Sequence, residues 1–103
     1  MTYTEKVKKS KEILTAIHAL EDGESISVTY GSDYNGKPKC YKILVYGRVG
    51  SGERSYSIWH SINGMNIESL GRTTIKAYTY DMMSQRTSYT FPLYEMEIVE
   101  ESK

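Results

Sequence analysis

The residues of this sequence that could do chemistry are aromatic and cationic, and they concentrate in its middle. The chain has ten tyrosines against one tryptophan and one phenylalanine. A tyrosine ring packs on apolar surface while its hydroxyl needs a polar partner, so tyrosines are frequent on surfaces that bind. Residues 34–90 also carry eight lysines and arginines against three acidic residues. Aromatic rings interleaved with cations are typical of grooves that hold single-stranded nucleic acid.

We predict that these residues form one binding surface on a β-sheet. The side chains predicted to contact phosphates are Arg48, Arg54, Arg72, Lys76 and Arg86. Those predicted to stack on bases are Trp59, Tyr41, Tyr78 and Tyr80. Tyr34 stands beside Asn35-Gly36, a pair that favours a tight turn, and should be exposed in any strand register. The zero net charge of the chain favours the alternative of an ordinary surface with mixed charges.

Trp59 has two interpretations, and the sequence leaves both open. Alternation along residues 54–62 places it on a face with three serines, opposite a face that carries Tyr56 and Ile58. If the serine face is exposed, Trp59 is an anchor for a binding partner. If the N-terminal helix covers that face, Trp59 belongs to the core. Alternation separates the two faces of a strand but does not say which one is covered.

Cys40, His18 and His60 are the candidates for catalysis. A nucleophile needs a base beside it and a third group that orients the base, and no spacing in the sequence indicates such a set. Cys40 is predicted to be a small core residue of a central strand, and the two histidines to be packed or boundary residues. We therefore predict a non-catalytic protein with no cofactor and no metal site.

Cysteine content and hydropathy bear on the compartment. The single cysteine excludes an internal disulfide framework and a four-cysteine zinc site. No apolar run approaches the roughly 20 residues that a membrane-spanning helix needs. We predict a cytoplasmic protein that does not bind membranes.

The elements that position these residues are one helix and several short strands in a single domain. Thr2 and Glu5 fit a capping box, and apolar residues at helical spacing follow, which predicts a helix over residues 1–21. Alternating residues between turn signals, among them Asn63-Gly64, predict five to seven antiparallel strands over 25–100. The fold class is α+β, and we expect the sheet to curl into a small Sm- or SH3-like barrel.

Two stretches of the chain resemble a known family. The first is Ile26-Ser-Val-Thr-Tyr30, followed by the polar turn 31–37. The second comprises Ala77-Tyr78, Asp81, Arg86, Phe91, Leu93 and Ile98-Val99-Glu100. In this order they resemble WYL domains, the small Sm-like β-barrels of bacterial regulators. The resemblance implies a barrel fold and the sensing of a nucleotide or single-stranded nucleic acid, with Arg86 and Tyr78 as contacts.

Two functional hypotheses follow. The first is a small regulatory protein that binds nucleic acid or a nucleotide through its Tyr- and Lys/Arg-lined β surface. The second is a phage-type inhibitor that occludes the surface of a host protein, because Tyr- and Ser-rich strands also suit protein interfaces. The apolar character of both faces of 39–48 fits either a closed barrel or a homo-oligomer.

Overall fold

The computed structural model describes residues 2–47 and 54–99, where one α-helix precedes a seven-stranded sheet. Helix α1 spans Tyr3–His18, shorter at both ends than predicted. The backbone N–H of Glu5 donates to Thr2 Oγ1 at 3.2 Å, and the Thr2 hydroxyl donates to the Glu5 carboxylate at 3.1 Å. Half of the predicted capping box is therefore present, with the Glu5 carboxylate bound to the Thr2 hydroxyl instead of the Thr2 backbone.

All seven strands pair antiparallel in the order β6-β5-β4-β3-β2-β1-β7. The strands are β1 (Ser25–Ser32), β2 (Pro38–Gly47), β3 (Arg54–His60), β4 (Asn63–Leu70), β5 (Thr74–Tyr80), β6 (Arg86–Pro92) and β7 (Glu97–Ile98), with a 3-10 turn η1 (Leu93–Glu95) before β7. The sheet curls into a half-barrel whose edges are β6 and β7. The predicted α+β class is confirmed, and the Sm- or SH3-like identity stays a prediction.

One face of the sheet, which we call the inner face, carries the hydrophobic core. Ile43, Ile58 and Ile75 on this face are fully buried, and α1 packs Ile13 and Ile17 into the same cluster. Leu93 of η1 and nearby Met96 complete it. Each such aliphatic side chain contributes about 1.5–3 kcal/mol when fully buried, which lets α1 remain folded despite its lysine-rich first turns.

The opposite side of the sheet, the outer face, is not covered by α1. It carries the residues that alternate with the core positions, such as Lys42 beside Ile43 and Trp59 beside Ile58. No helix in the described ranges is long and apolar enough to cross a membrane.

The turn between β3 and β4 differs from the prediction. His60 pairs with Asn63, so the turn consists of residues 61–62, with Ser61 at a φ of 57°. Asn63-Gly64, predicted as a hairpin turn, instead begins β4. The reason is that Gly64 lies directly opposite Trp59 in the ladder, where a residue without a side chain leaves room for the indole.

Candidate functional site

Trp59 lies on the outer face, which decides between its two interpretations. Its neighbour Ile58 points into the core under α1 and is fully buried. Trp59 itself pairs with Lys42 on β2 and with Gly64 on β4 and is only partly buried. It is therefore not a core residue beneath the helix.

The indole of Trp59 is held in one orientation. Its Nε1–H donates to Ser57 Oγ at 2.8 Å, and the Tyr46 hydroxyl donates to the same oxygen at 2.6 Å. A Cβ built on Gly64 would lie 2.6–2.7 Å from three atoms of the six-membered ring, so the ring lies face-on over Gly64. Trp59 is only partly buried and lines a groove over β2, so this fixed ring is in part accessible from the outer face.

A second aromatic cluster occupies the outer face at β5 and β6. The guanidinium of Arg86 lies 4.2 Å from the centroid of the Tyr78 ring, and its Nη2 is 2.9 Å from Glu68 Oε1. The hydrogen bond with Glu68 raises the pKa of Arg86. Tyr80 meets Tyr78 edge-on at 5.9 Å and is 57 % exposed. Arg86 thus covers one face of Tyr78, while Tyr80 remains open to a ligand.

The cations predicted from the sequence to contact phosphates lie in different parts of the structure. Lys76 is exposed on the outer face, and Arg72 is exposed in the turn between β4 and β5. Arg54 instead donates to the carbonyl oxygens of His18 and Leu20 and lies 3.6 Å from Asp22 Oδ1. Arg54 therefore binds the C-terminal end of α1, which corrects its prediction as a phosphate contact. Arg48 lies outside the described residues.

Tyr41 is misplaced by the sequence prediction. It points to the inner face and is 9 % exposed, with its ring 5.6 Å from that of Phe91 and 5.1 Å from that of His60. Burial, followed by the nearby Tyr30, raises the pKa of Tyr41. A buried ring enclosed by other rings does not stack on bases beside Trp59, so Tyr41 is removed from the binding surface.

The candidates for catalysis are distributed over the molecule. Cys40 is exposed and lies on the outer face, which corrects its prediction as a core residue. His60 lies on the inner face against Tyr41, so the sheet separates it from Cys40. His18 is exposed at the end of α1, with its ring edge-on to Tyr56 at 6.5 Å. In the described part of the chain, no group of three His, Cys, Asp or Glu residues could hold a metal.

Sequence reasoning missed Lys42 as a site residue. Lys42 is exposed directly across the ladder from Trp59. A groove of about 440 Å³ runs here over β2, and the residues that line it are Ser27, Cys40, Tyr41, Lys42, Leu44, Trp59 and Ser61. Its volume is within the range of small-ligand sites. The alternation of Lys42 with Tyr41 and Ile43 is the signal that could have placed it on this face.

A second surface lies at the end of the sheet where residues 33–37, 61–62 and 81–85 turn. The strand registers bring these three turns to the same end. They present four exposed apolar or aromatic side chains, which we call the hairpin-tip surface: Tyr34 (98 % exposed), Ile62 (87 %), Met82 (102 %) and Met83 (81 %). Tyr34 is thus exposed as predicted, but it is not on the outer face.

Two of these turns have the same construction. In one, Asp33 Oδ1 accepts from the backbone N–H groups of Asn35 and Lys37 at 2.8 and 3.0 Å. In the other, Asp81 Oδ1 accepts from Met83 and Gln85 at 2.8 and 2.9 Å. The residue after each aspartate, Tyr34 or Met82, is the fully exposed one. Both tips are therefore held by hydrogen bonds from the backbone of the turn to its own aspartate.

Comparison with known proteins finds no relative of this chain. No family model, curated protein or solved structure matches the chain. The resemblance to WYL domains therefore rests on the residues quoted above and stays a prediction.

Proposed function

We propose that this protein is a non-catalytic binding protein that holds single-stranded nucleic acid or a nucleotide on its outer face. The observation that carries the proposal is the immobilised Trp59 ring beside Lys42 on a face that α1 leaves uncovered. Stacking of one base on an aromatic ring contributes about 1–3 kcal/mol. A base on Trp59 would bring its phosphate within the reach of the flexible Lys42 side chain.

The remaining outer-face residues extend this arrangement across the sheet. Tyr80 supplies a second exposed ring, and Lys76 supplies a second exposed ammonium group on β5. Arg86 is already paired with Glu68, so it contributes less positive potential than a free arginine. The chain as a whole is neutral, and binding would depend on this face and not on net charge.

A fluorescence titration tests the proposal directly because Trp59 is the only tryptophan. Adding an oligothymidylate of about 12 nucleotides should quench its emission, since a base stacks on the indole. With roughly three phosphates neutralised, affinity should fall about 20-fold between about 50 and 200 mM salt. A mononucleotide titrated in parallel distinguishes a nucleotide site from a nucleic-acid groove.

Matched variants locate the site. Lys76→Ala and Tyr80→Ala should each weaken oligonucleotide binding, measured by anisotropy of a labelled strand. Lys11→Ala removes the same charge from the exposed side of α1 and should leave affinity unchanged. Binding that is absent, indifferent to salt, or equally reduced by Lys11→Ala would refute the proposal.

A protein partner is the second candidate function, and the hairpin-tip surface favours it. Exposed methionine and tyrosine side chains on rigid turns are typical of protein contacts, whereas phosphate recognition does not require them. An inhibitor that occludes a host protein would insert these convex tips into a concave site on that protein.

A further inference from the structure

Strand β6 is an open edge of the half-barrel. It pairs with β5 through seven consecutive residues, from Arg86 opposite Tyr80 to Pro92 opposite Thr74, with no bulge. Within the described residues, no strand pairs with its other side. Arg86 to Thr90 are all exposed. The opposite edge of the sheet is β7, a strand of only two residues that pairs with β1.

The centre of β6 lacks the features that prevent edge strands from pairing. Such features are lysines, prolines, bulges and very short strands. Thr87, Ser88, Tyr89, Thr90 and Phe91 contain no charge and no proline, and most are residues with high strand preference. A regular strand of this length presents a row of backbone N–H and C=O groups that can pair with another strand.

We propose that a second copy of this chain pairs with β6, antiparallel and around a two-fold axis. The charge pattern of the strand favours a copy of itself in this orientation. Arg86 is the only charged residue of β6 and stands at its first position, so antiparallel pairing places the two arginines at opposite ends. Parallel pairing would place them side by side, which is unfavourable. The neutral chain adds no overall repulsion between the copies.

The side chains of the strand also complement one another across the axis. With the axis at Tyr89, each tyrosine meets the partner's Tyr89, and Ser88 lies opposite the partner's Thr90. Aromatic pairs and hydroxyl pairs across strands each add to the stability of a ladder. A two-fold interface of this kind uses the same patch on both copies and closes at a dimer. The proposal is independent of whether the outer face binds nucleic acid.

Light scattering after gel filtration tests the proposal on the intact protein. The wild-type chain should have about twice the monomer mass of 11.8 kDa at concentrations of roughly 100 µM. Ser88→Lys places an ammonium group of each copy one residue from the axis, opposite the partner's Thr90, and should raise the dissociation constant at least about tenfold. Ser69→Lys, at an exposed position of the interior strand β4, is the matched control and should remain dimeric.

Hydrogen exchange adds a second measurement that does not depend on a variant's fold. Protection of the β6 amides should rise with protein concentration, while protection of β7 should not. A wild-type monomer at the highest concentration overturns the proposal, as does a dimer that Ser88→Lys leaves intact. Protection of β6 that appears only when an extended peptide is added also overturns it, since the edge then serves a different occupant.

Discussion

At the scale of single residues, Ser57 determines the geometry of the outer face. Its hydroxyl oxygen accepts from both Trp59 and Tyr46, and the side chain is only 2 % exposed although it belongs to the outer face. The two large rings bury the small residue between them. Ser57 thus holds the Trp59 indole in place, although the sequence pattern gives no sign of this function.

Glu68 is the residue whose charge opposes the proposed function. Its carboxylate holds Arg86 at 2.9 Å and places a negative charge on the face where phosphates would bind. Glu68→Gln should therefore increase oligonucleotide affinity by about two- to fivefold, the size of one surface charge interaction. Fluorescence anisotropy measures the change. Glu12→Gln, an exposed residue of α1, serves as the control, and unchanged or weaker binding by Glu68→Gln would contradict the assignment.

At the scale of elements, Arg54 joins β3 to the end of α1. Its guanidinium donates to the carbonyls of His18 and Leu20, groups that have no partner within the helix. A cation at this end also interacts favourably with the helix dipole. This contact therefore ties the end of α1 to the first residue of β3.

Arg54→Ala should lower the free energy of unfolding by about 1 kcal/mol, because two carbonyls lose a charged donor. Urea denaturation followed by circular dichroism measures it. Asp22→Asn keeps both donated bonds and should cost less than about 0.5 kcal/mol, as expected for an exposed ion pair. Equal losses in the two variants would show that the ion pair, and not the carbonyl contacts, provides the stabilisation.

The elements could largely be predicted from the sequence, and the site only in part. The capping residue Thr2 and the alternation around Ile43 and Ile58 are local signals, so the helix and the strands were predictable. The face of the sheet that α1 covers was not predictable, because both faces of β2 are apolar and the covered face depends on how α1 packs. Tyr41 was consequently assigned to the wrong face. Arg54 was misassigned because its partners lie 34 to 36 residues away.

At the scale of the whole molecule, the two surfaces point in different directions. The outer face is one side of the curled sheet and carries rings and cations, whereas the hairpin-tip surface is a set of protruding apolar side chains at the end of the half-barrel. The first suits an extended polyanion and the second suits a cleft in a folded protein. We therefore expect substitutions on one surface to leave binding at the other surface unchanged.

This separation predicts how a protein partner would respond. From a lysate of cells in which the protein occurs, the immobilised wild type and Lys76→Ala should capture the same protein. The double variant Tyr34→Ser, Met82→Ser should lose it at least about tenfold, since both tips contribute central contacts. Quantitative mass spectrometry provides the comparison. Loss of capture by Lys76→Ala with retention by the tip variant would instead assign the partner to the outer face.

The repeated construction of the turns at Asp33 and Asp81 has a consequence for how this protein can change. Each turn is closed by one aspartate and a fourth residue at positive φ, Gly36 or Ser84. The residues between them take no part in closure through their side chains. Mutation at these middle positions can accordingly accumulate without loss of the fold, so the side chains that the two tips display are free to diverge while the scaffold beneath them stays the same.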